Sequence, residues 1–121
     1  AVQLRVLNIT HNAITSIQEV ARLSHLRVLK CSFNEIADLS WISGLRDLQE
    51  LWVHHNRIES PQITHLQPLS QLQTLVLHPN PCTELSYYVI DVVRVLPWLE
   101  RLDTVVVDKA LRDEAQHAGE R

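Results

Sequence analysis

Seven histidines and two cysteines are the side chains of this 121-residue chain best suited to metal or nucleophile chemistry. His54 and His78 stand at equivalent places in two similar phrases, and His11 and His55 stand one place further along. That spacing predicts neighbouring rings for His54 and His78 on one surface. Zinc wants about four ligands converging at close range, and no carboxylate or thiol shares those places. The expected state is solvated imidazole on a polar surface, where adjacent rings can make a contact sensitive to pH. No serine or cysteine lies in a nucleophile elbow or a cysteine–histidine context. Two glycines are too few for a phosphate-cradling loop. The chain is expected to be no enzyme and to need no metal or cofactor.

What positions these histidines is a repeat. Asn12, Asn34, Asn56 and Asn80 recur at steps of 22, 22 and 24 residues. Each closes one phrase: Leu4-Arg-Val-Leu7-Asn-Ile9-Thr-His-Asn12, Leu26-Arg-Val-Leu29-Lys-Cys31-Ser-Phe-Asn34, Leu48-Gln-Glu-Leu51-Trp-Val53-His-His-Asn56 and Leu72-Gln-Thr-Leu75-Val-Leu77-His-Pro-Asn80. This is the L-x-x-L-x-L-x-x-N phrase of a leucine-rich repeat, whose period is roughly 20–29 residues. The alternation within each phrase predicts a short, half-buried strand. One repeat cannot bury its own apolar face, so the strands must stack in parallel and stability is collective. Each asparagine amide can donate to and accept from the backbone of the turn. The four are expected to form an interior structural ladder.

The return segments carry a second rhythm. Ile14, Ile17, Val20 and Leu23 step by three, as do Ile36, Leu39, Ile42 and Leu45. A strict step of three suits a 3₁₀-type return; the stripe of a long α-helix mixes threes and fours. The third copy keeps Ile58, Ile63, Leu66 and Leu69, with Glu59 to Gln62 spanning a gap beside Pro61. These extra residues are expected to bulge or lengthen the return as a tolerated insertion. After Asn80-Pro81, the spacing of Tyr88, Val89, Val92, Val93 and Leu96 predicts an α-helix ended by Pro97. Leu99 and Leu102-Asp103 predict one more strand, and Asp108 is placed to N-cap a helix through Ala115.

The expected fold is thus α/β. It is a right-handed leucine-rich repeat solenoid with a parallel concave sheet, short 3₁₀ or helical returns and a helical C-terminal cap. The repeat domain is expected over 1–107, with repeats starting near 4, 26, 48 and 72 and a cap over 81–107. A polar tail, helical or frayed, is expected over 108–121. The first repeat begins in mid-pattern, which leaves its edge open to further repeats or a capping segment. Hydrophobic residues make up 45% of the chain, and no apolar run is long enough to span a membrane. A net charge of −3 without a basic stripe argues against a direct nucleic-acid surface. Cys31, at an inward strand position, and Cys82, in the cap, make no disulfide framework, which points to an intracellular protein. It is expected to be monomeric alone.

The phrase from Leu26 through Asn34-Glu-Ile36-Ala-Asp-Leu39 to Leu45 resembles the SDS22-like class of leucine-rich repeats. The stretch Asn80-Pro81-Cys82, Tyr88, Val92, Leu96-Pro97-Trp-Leu99, Leu102-Asp103 is similar to that class's C-terminal cap. Together they cover nearly the whole chain. One departure is that Val89 follows Tyr88 where the class usually has arginine, so that arginine's contacts must be made otherwise or be absent. Within the class, the short cap and few repeats resemble cilia- and flagella-associated basal-body proteins. Axonemal dynein light chains and other cytoskeletal scaffolds are also similar. The U2A′ protein of the spliceosome and the SDS22 regulator of protein phosphatase 1 fit less well. The resemblance implies an intracellular scaffold at a cilium, basal body or cytoskeletal assembly. A phosphatase regulatory subunit or a nuclear ribonucleoprotein scaffold is the alternative.

The register assigns faces. The outward strand positions form one column with Val6, Val28, Glu50, Thr74 and Arg101, and a second with Asn8, Lys30, Trp52 and Val76. A third holds Thr10, Ser32, His54 and His78, and a fourth His11, Phe33, His55 and Pro79. Trp52 is large and apolar where the lattice requires nothing buried, which is the composition of an interface hot spot. The expected partner is another protein, bound on the concave face through Val28, Lys30, Phe33, Glu50, Trp52, His54, Thr74, Val76, His78 and Arg101. Trp41 and Trp98 are expected to pack structurally.

Overall fold

The computed structural model describes residues 4–13 and 18–118. Four three-residue strands, β1 (Val6–Asn8), β2 (Val28–Lys30), β3 (Glu50–Trp52) and β4 (Thr74–Val76), pair in parallel in chain order. Their register repeats from strand to strand, with Leu7, Leu29, Leu51 and Leu75 side by side. Leu29, Leu51 and Leu75 are fully buried, and Val28, Lys30, Glu50, Trp52, Thr74 and Val76 alternate with them on the outward, concave face. The core lies between sheet and returns and is nearly all Leu, Ile and Val. Such a stack is held by neighbour-to-neighbour burial.

The step of three in the returns has a plain cause. The returns are 3₁₀ helices: η1 (Gln18–Arg22), η2 (Ser40–Gly44) and η3 (Ser60–Leu66). Bonds run from Ile42 N–H to Leu39, Leu45 N–H to Ile42 and Leu48 N–H to Leu45, at 3.0, 3.0 and 3.1 Å. Every third side chain therefore lands on the core. Ile14 and Ile17, predicted to begin the first return, lie outside the described residues. The extra residues of the third repeat lengthen its return, which has seven residues against five in each of the first two. Gln62, inside that insertion, reaches back and accepts the Leu39 N–H at 2.9 Å. Trp41 is buried, donating to the Asp38 carbonyl at 2.6 Å, and Trp98 is half-buried, donating to that of Leu69 at 2.9 Å.

Beyond β4 a short 3₁₀ turn, η4 (Pro81–Glu84), leads into helix α1 (Tyr88–Val95), which ends before Pro97. β5 (Arg101–Leu102) then joins β4 in parallel. A further strand absent from the sequence expectation, β6 (Val105–Val106), folds back antiparallel on β5. Asp103, between them, takes a left-handed backbone with φ 57°. Its carboxylate closes the stack. In earlier layers the Cys31 and Val53 amides donate to carbonyls of the next strand, Trp52 and Val76. At the last layer the Leu77 and His78 amides donate instead to Asp103 Oδ1, at 2.7 and 2.9 Å. The Tyr88 hydroxyl donates to Asp103 Oδ2, which fixes the carboxylate without help from an arginine at position 89. Helix α2 (Lys109–Ala118) starts at Asp108, whose side chain accepts the Leu111 N–H at 2.9 Å. It lies against α1 with Ala115 buried, while Arg112 donates to the carbonyls of Pro97 and Leu99 at 2.8 and 3.1 Å.

Candidate functional site

Each turn after a strand has two adjacent residues with opposite duties. The asparagine points in. Asn34, 7% exposed, and Asn80, 5% exposed, are buried, and Asn56 is half-buried. Asn80 donates to the carbonyls of Leu77 in its own repeat and Val53 in the previous one, at 2.6 and 2.9 Å. Its carbonyl accepts the Ile58 N–H at 3.0 Å. Asn56 and Asn34 tie their repeats to the preceding ones in the same way. Asn12 departs from the interior role expected of it. It is exposed and its side-chain amide donates only to Ile9 and Thr10 of its own repeat, having no earlier repeat to reach among the described residues.

The residue before the asparagine points out. His11, Phe33 and His55 hold φ near 65, 58 and 56°, the left-handed region that bulky residues rarely occupy. That turn lifts all three rings to the rim of the sheet, where they stack. His11 to Phe33 is 4.3 Å between centroids with planes 18° apart, and Phe33 to His55 is 4.2 Å with 16°. Phe33 remains 39% exposed. Pro79 occupies the same place in the fourth repeat, after a cis peptide bond, and ends the row. His54 meets Phe33 edge-on at 5.3 Å and Trp52 at 6.0 Å. Lys30 lies over the Trp52 ring at 4.9 Å, a cation–π distance. The result is one continuous patch of rings along β1 to β3.

Two sequence expectations change here. Trp52 is half-buried and not a free projection: its ring lies under Lys30 and its Nε1 donates to Glu50 Oε1. His54 and His78 share a column but turn apart. His54 Nδ1 shares a hydrogen bond with the buried Ser32 hydroxyl at 2.7 Å, whereas His78 Nδ1 pairs with Thr83 Oγ1 in the cap at 3.0 Å. Burial pulls the His54 pKa below the ordinary imidazole value, the nearby His55 adds to that, and Asp103 opposes it. His11 and His55, which belong to the patch, were missing from the predicted site. Their signal was their shared repeat position with Phe33. The remaining predicted residues fall on the two outward columns, with Val28, Glu50, Thr74 and Arg101 in register in one and Lys30, Trp52 and Val76 in the other.

The described residues include no cluster of three or more His, Cys, Asp or Glu able to hold a metal ion. Among them no helix is long and apolar enough to cross a membrane. Cys31 and Cys82 are free and buried, and burial pushes their thiols up to about 12 and about 11. Such thiols are poor nucleophiles, since the reactive species is the thiolate. The patch offers stacking, cation–π and hydrogen-bonding contacts, which are the chemistry of recognition.

The Leucine rich repeat family matches residues 2–58. Cilia- and flagella-associated protein 410 of Homo sapiens is 33% identical over 120 residues, covering 97% of this chain and 47% of that protein. Human leucine-rich repeat-containing protein 23 is 31% identical over 109 residues, covering 88% of this chain and 32% of that protein. The chain therefore spans less than half the length of these relatives. A solved structure of the Drosophila melanogaster SNF/U2A′ complex matches 93% of this chain and 79% of its own, with a TM-score of 0.78. At 19% identity that likeness is one of fold.

Proposed function

The chain is a leucine-rich repeat protein, and from that premise we propose that it binds another protein across its concave face within a ciliary, flagellar or basal-body assembly. The observation that carries the binding reading is the exposed ring patch centred on Phe33 and Trp52. The lattice needs no ring at these positions, since in the fourth repeat Val76 takes the place of Trp52 and Pro79 that of Phe33. Aromatic side chains at the centre of a surface supply large contact area at low entropic cost. The ciliary setting is supported by the similarity to cilia- and flagella-associated protein 410 along 97% of this chain.

Proximity labelling in ciliated cells tests both parts. The protein fused to a biotin ligase is expected to label basal-body or axonemal proteins, and Phe33→Ala with Trp52→Ala to lose that labelling while staying folded. An unchanged labelled set in the double variant removes the concave-face reading. Labelling confined to nuclear proteins removes the ciliary one.

A further inference from the structure

The charges are segregated in a way that the net value hides. The chain is acidic overall, at −3. Yet the outward positions of the sheet carry Lys30, Glu50 and Arg101 as their only ionic side chains among the described residues. Glu50 is engaged by the Trp52 indole. Arg5 and Arg27, exposed, occupy the same position just before β1 and β2, and adjacent strands lie about 4.8 Å apart. Lys30, Arg5 and Arg27 belong to none of the ion pairs among the described residues. Most acids sit elsewhere: Glu19, Asp38 and Glu59 lie on or beside the returns, Glu84 and Asp91 are in the cap, and Asp108, Asp113 and Glu114 are at or in α2, while Asp47 lines a cleft together with Arg27. The position held by Arg5 and Arg27 becomes Gln49, Gln73 and finally Glu100 along the solenoid, so the cationic end is that of the first two repeats.

That cationic end is also the aromatic end, since His11, Phe33 and His55 stack on the opposite rim of the same strands. We infer that the concave face of the first three repeats is built to take an extended acidic segment of a partner protein, with an apolar or aromatic residue seated on the ring stack. The inference rests on the concave-face reading above and specifies its chemistry. Carboxylates would lie over Lys30 and towards Arg27 and Arg5, and complementary charge sets both encounter rate and register. From Arg27 to the ring row is about 15 Å, or roughly five extended residues at ~3.3 Å each. At the far end Glu100 stands beside Arg101 and offsets its charge, so the cations clustered at the first repeats give the segment one preferred placement.

A display library of random twelve-residue peptides, selected on the purified protein, tests this. Selected peptides should be rich in Asp and Glu and carry an aromatic residue. Binding of a synthetic copy should weaken at least tenfold with Arg27→Glu plus Lys30→Glu, and several-fold between low and high salt. Arg27→Gln plus Lys30→Gln, a milder pair at exposed or half-exposed positions, should show a smaller loss in the same direction. Basic or neutral peptides as the selected class, or no selected class, overturn the inference. Peptides lost with Trp52→Ala but indifferent to both charge variants overturn the acidic assignment and leave the concave-face reading standing. Peptides indifferent to all of these variants overturn both.

Discussion

Phe33 and Asn34 are chain neighbours in one turn, and the contrast between their columns separates architecture from recognition. Asn34, Asn56 and Asn80 repeat one residue type because one task repeats, which is joining the buried amides and carbonyls of two layers. His11, Phe33, His55 and Pro79 differ because the lattice asks of that position only a backbone that turns. Three of them even hold a left-handed φ that glycine or asparagine would adopt more cheaply. Residues kept at a backbone cost, with rings outward, point to a use outside the fold.

The largest expected effect tests the inward column. Asn80→Ala leaves the Ile58 amide and the Leu77 carbonyl without a buried partner and strips the Val53 carbonyl of one of its two side-chain donors, the other being Asn56. Losing three such bonds should cost about 3 kcal/mol. Asn12→Ala, at an exposed residue whose side chain bonds only within its own turn, should cost less than about 1 kcal/mol. Urea unfolding of both variants gives the difference, and equal losses would break the distinction between interior and edge asparagines. A step smaller, Tyr88→Phe should cost about 1.5 kcal/mol, since it frees one side of the carboxylate that closes the sheet. No loss in the unfolding curve would mean that Asp103 is held by its backbone contacts alone.

The inward column is legible in the sequence because its period is fixed by the layer and its residue type by backbone bonding. The step of three foretells the 3₁₀ returns, and Tyr88 with Asp103 foretells a cap. What Asp103 does there is not legible. Standing in for the missing strand's carbonyls depends on its left-handed backbone, and β6 follows from the same bend. Register alone assigns the outward columns, yet it does not give their contacts. His54 and His78 share a column, but Ser32 holds one and Thr83 the other. The ring stack is hidden because alignment tells which residues are neighbours and not that a left-handed turn lifts them together.

Phe33→Gly sharpens the contrast from the outward side. Glycine removes a left-handed cost of about 1 kcal/mol and forfeits ring stacking of similar size. Stability should stay within about 1 kcal/mol of the parent, while affinity for a concave-face partner should fall at least tenfold. Paired measurements of unfolding and of peptide binding check this. A large stability loss with binding retained would make the stack structural, and the two columns would no longer differ in purpose.

The smallest expected effect lies at His54, which belongs to both worlds through buried Ser32 and exposed Phe33. Its folded pKa is lowered from 6.5, first by burial and then by His55. The unfolded chain therefore takes up a proton at this site before the folded one does as pH falls. The contribution is complete above the unfolded value of 6.5 and is lost as acid carries the pH through it towards the lower folded value. NMR titration should show His54 changing below the ordinary imidazole range, and His55→Gln should bring it part of the way back. His54→Gln should flatten the fall in stability on the acid side of neutrality. A His54 that titrates at or above the ordinary value would mean that its ring is solvated, detached from Ser32 and from the stack. The patch would then be several independent side chains and no longer one surface.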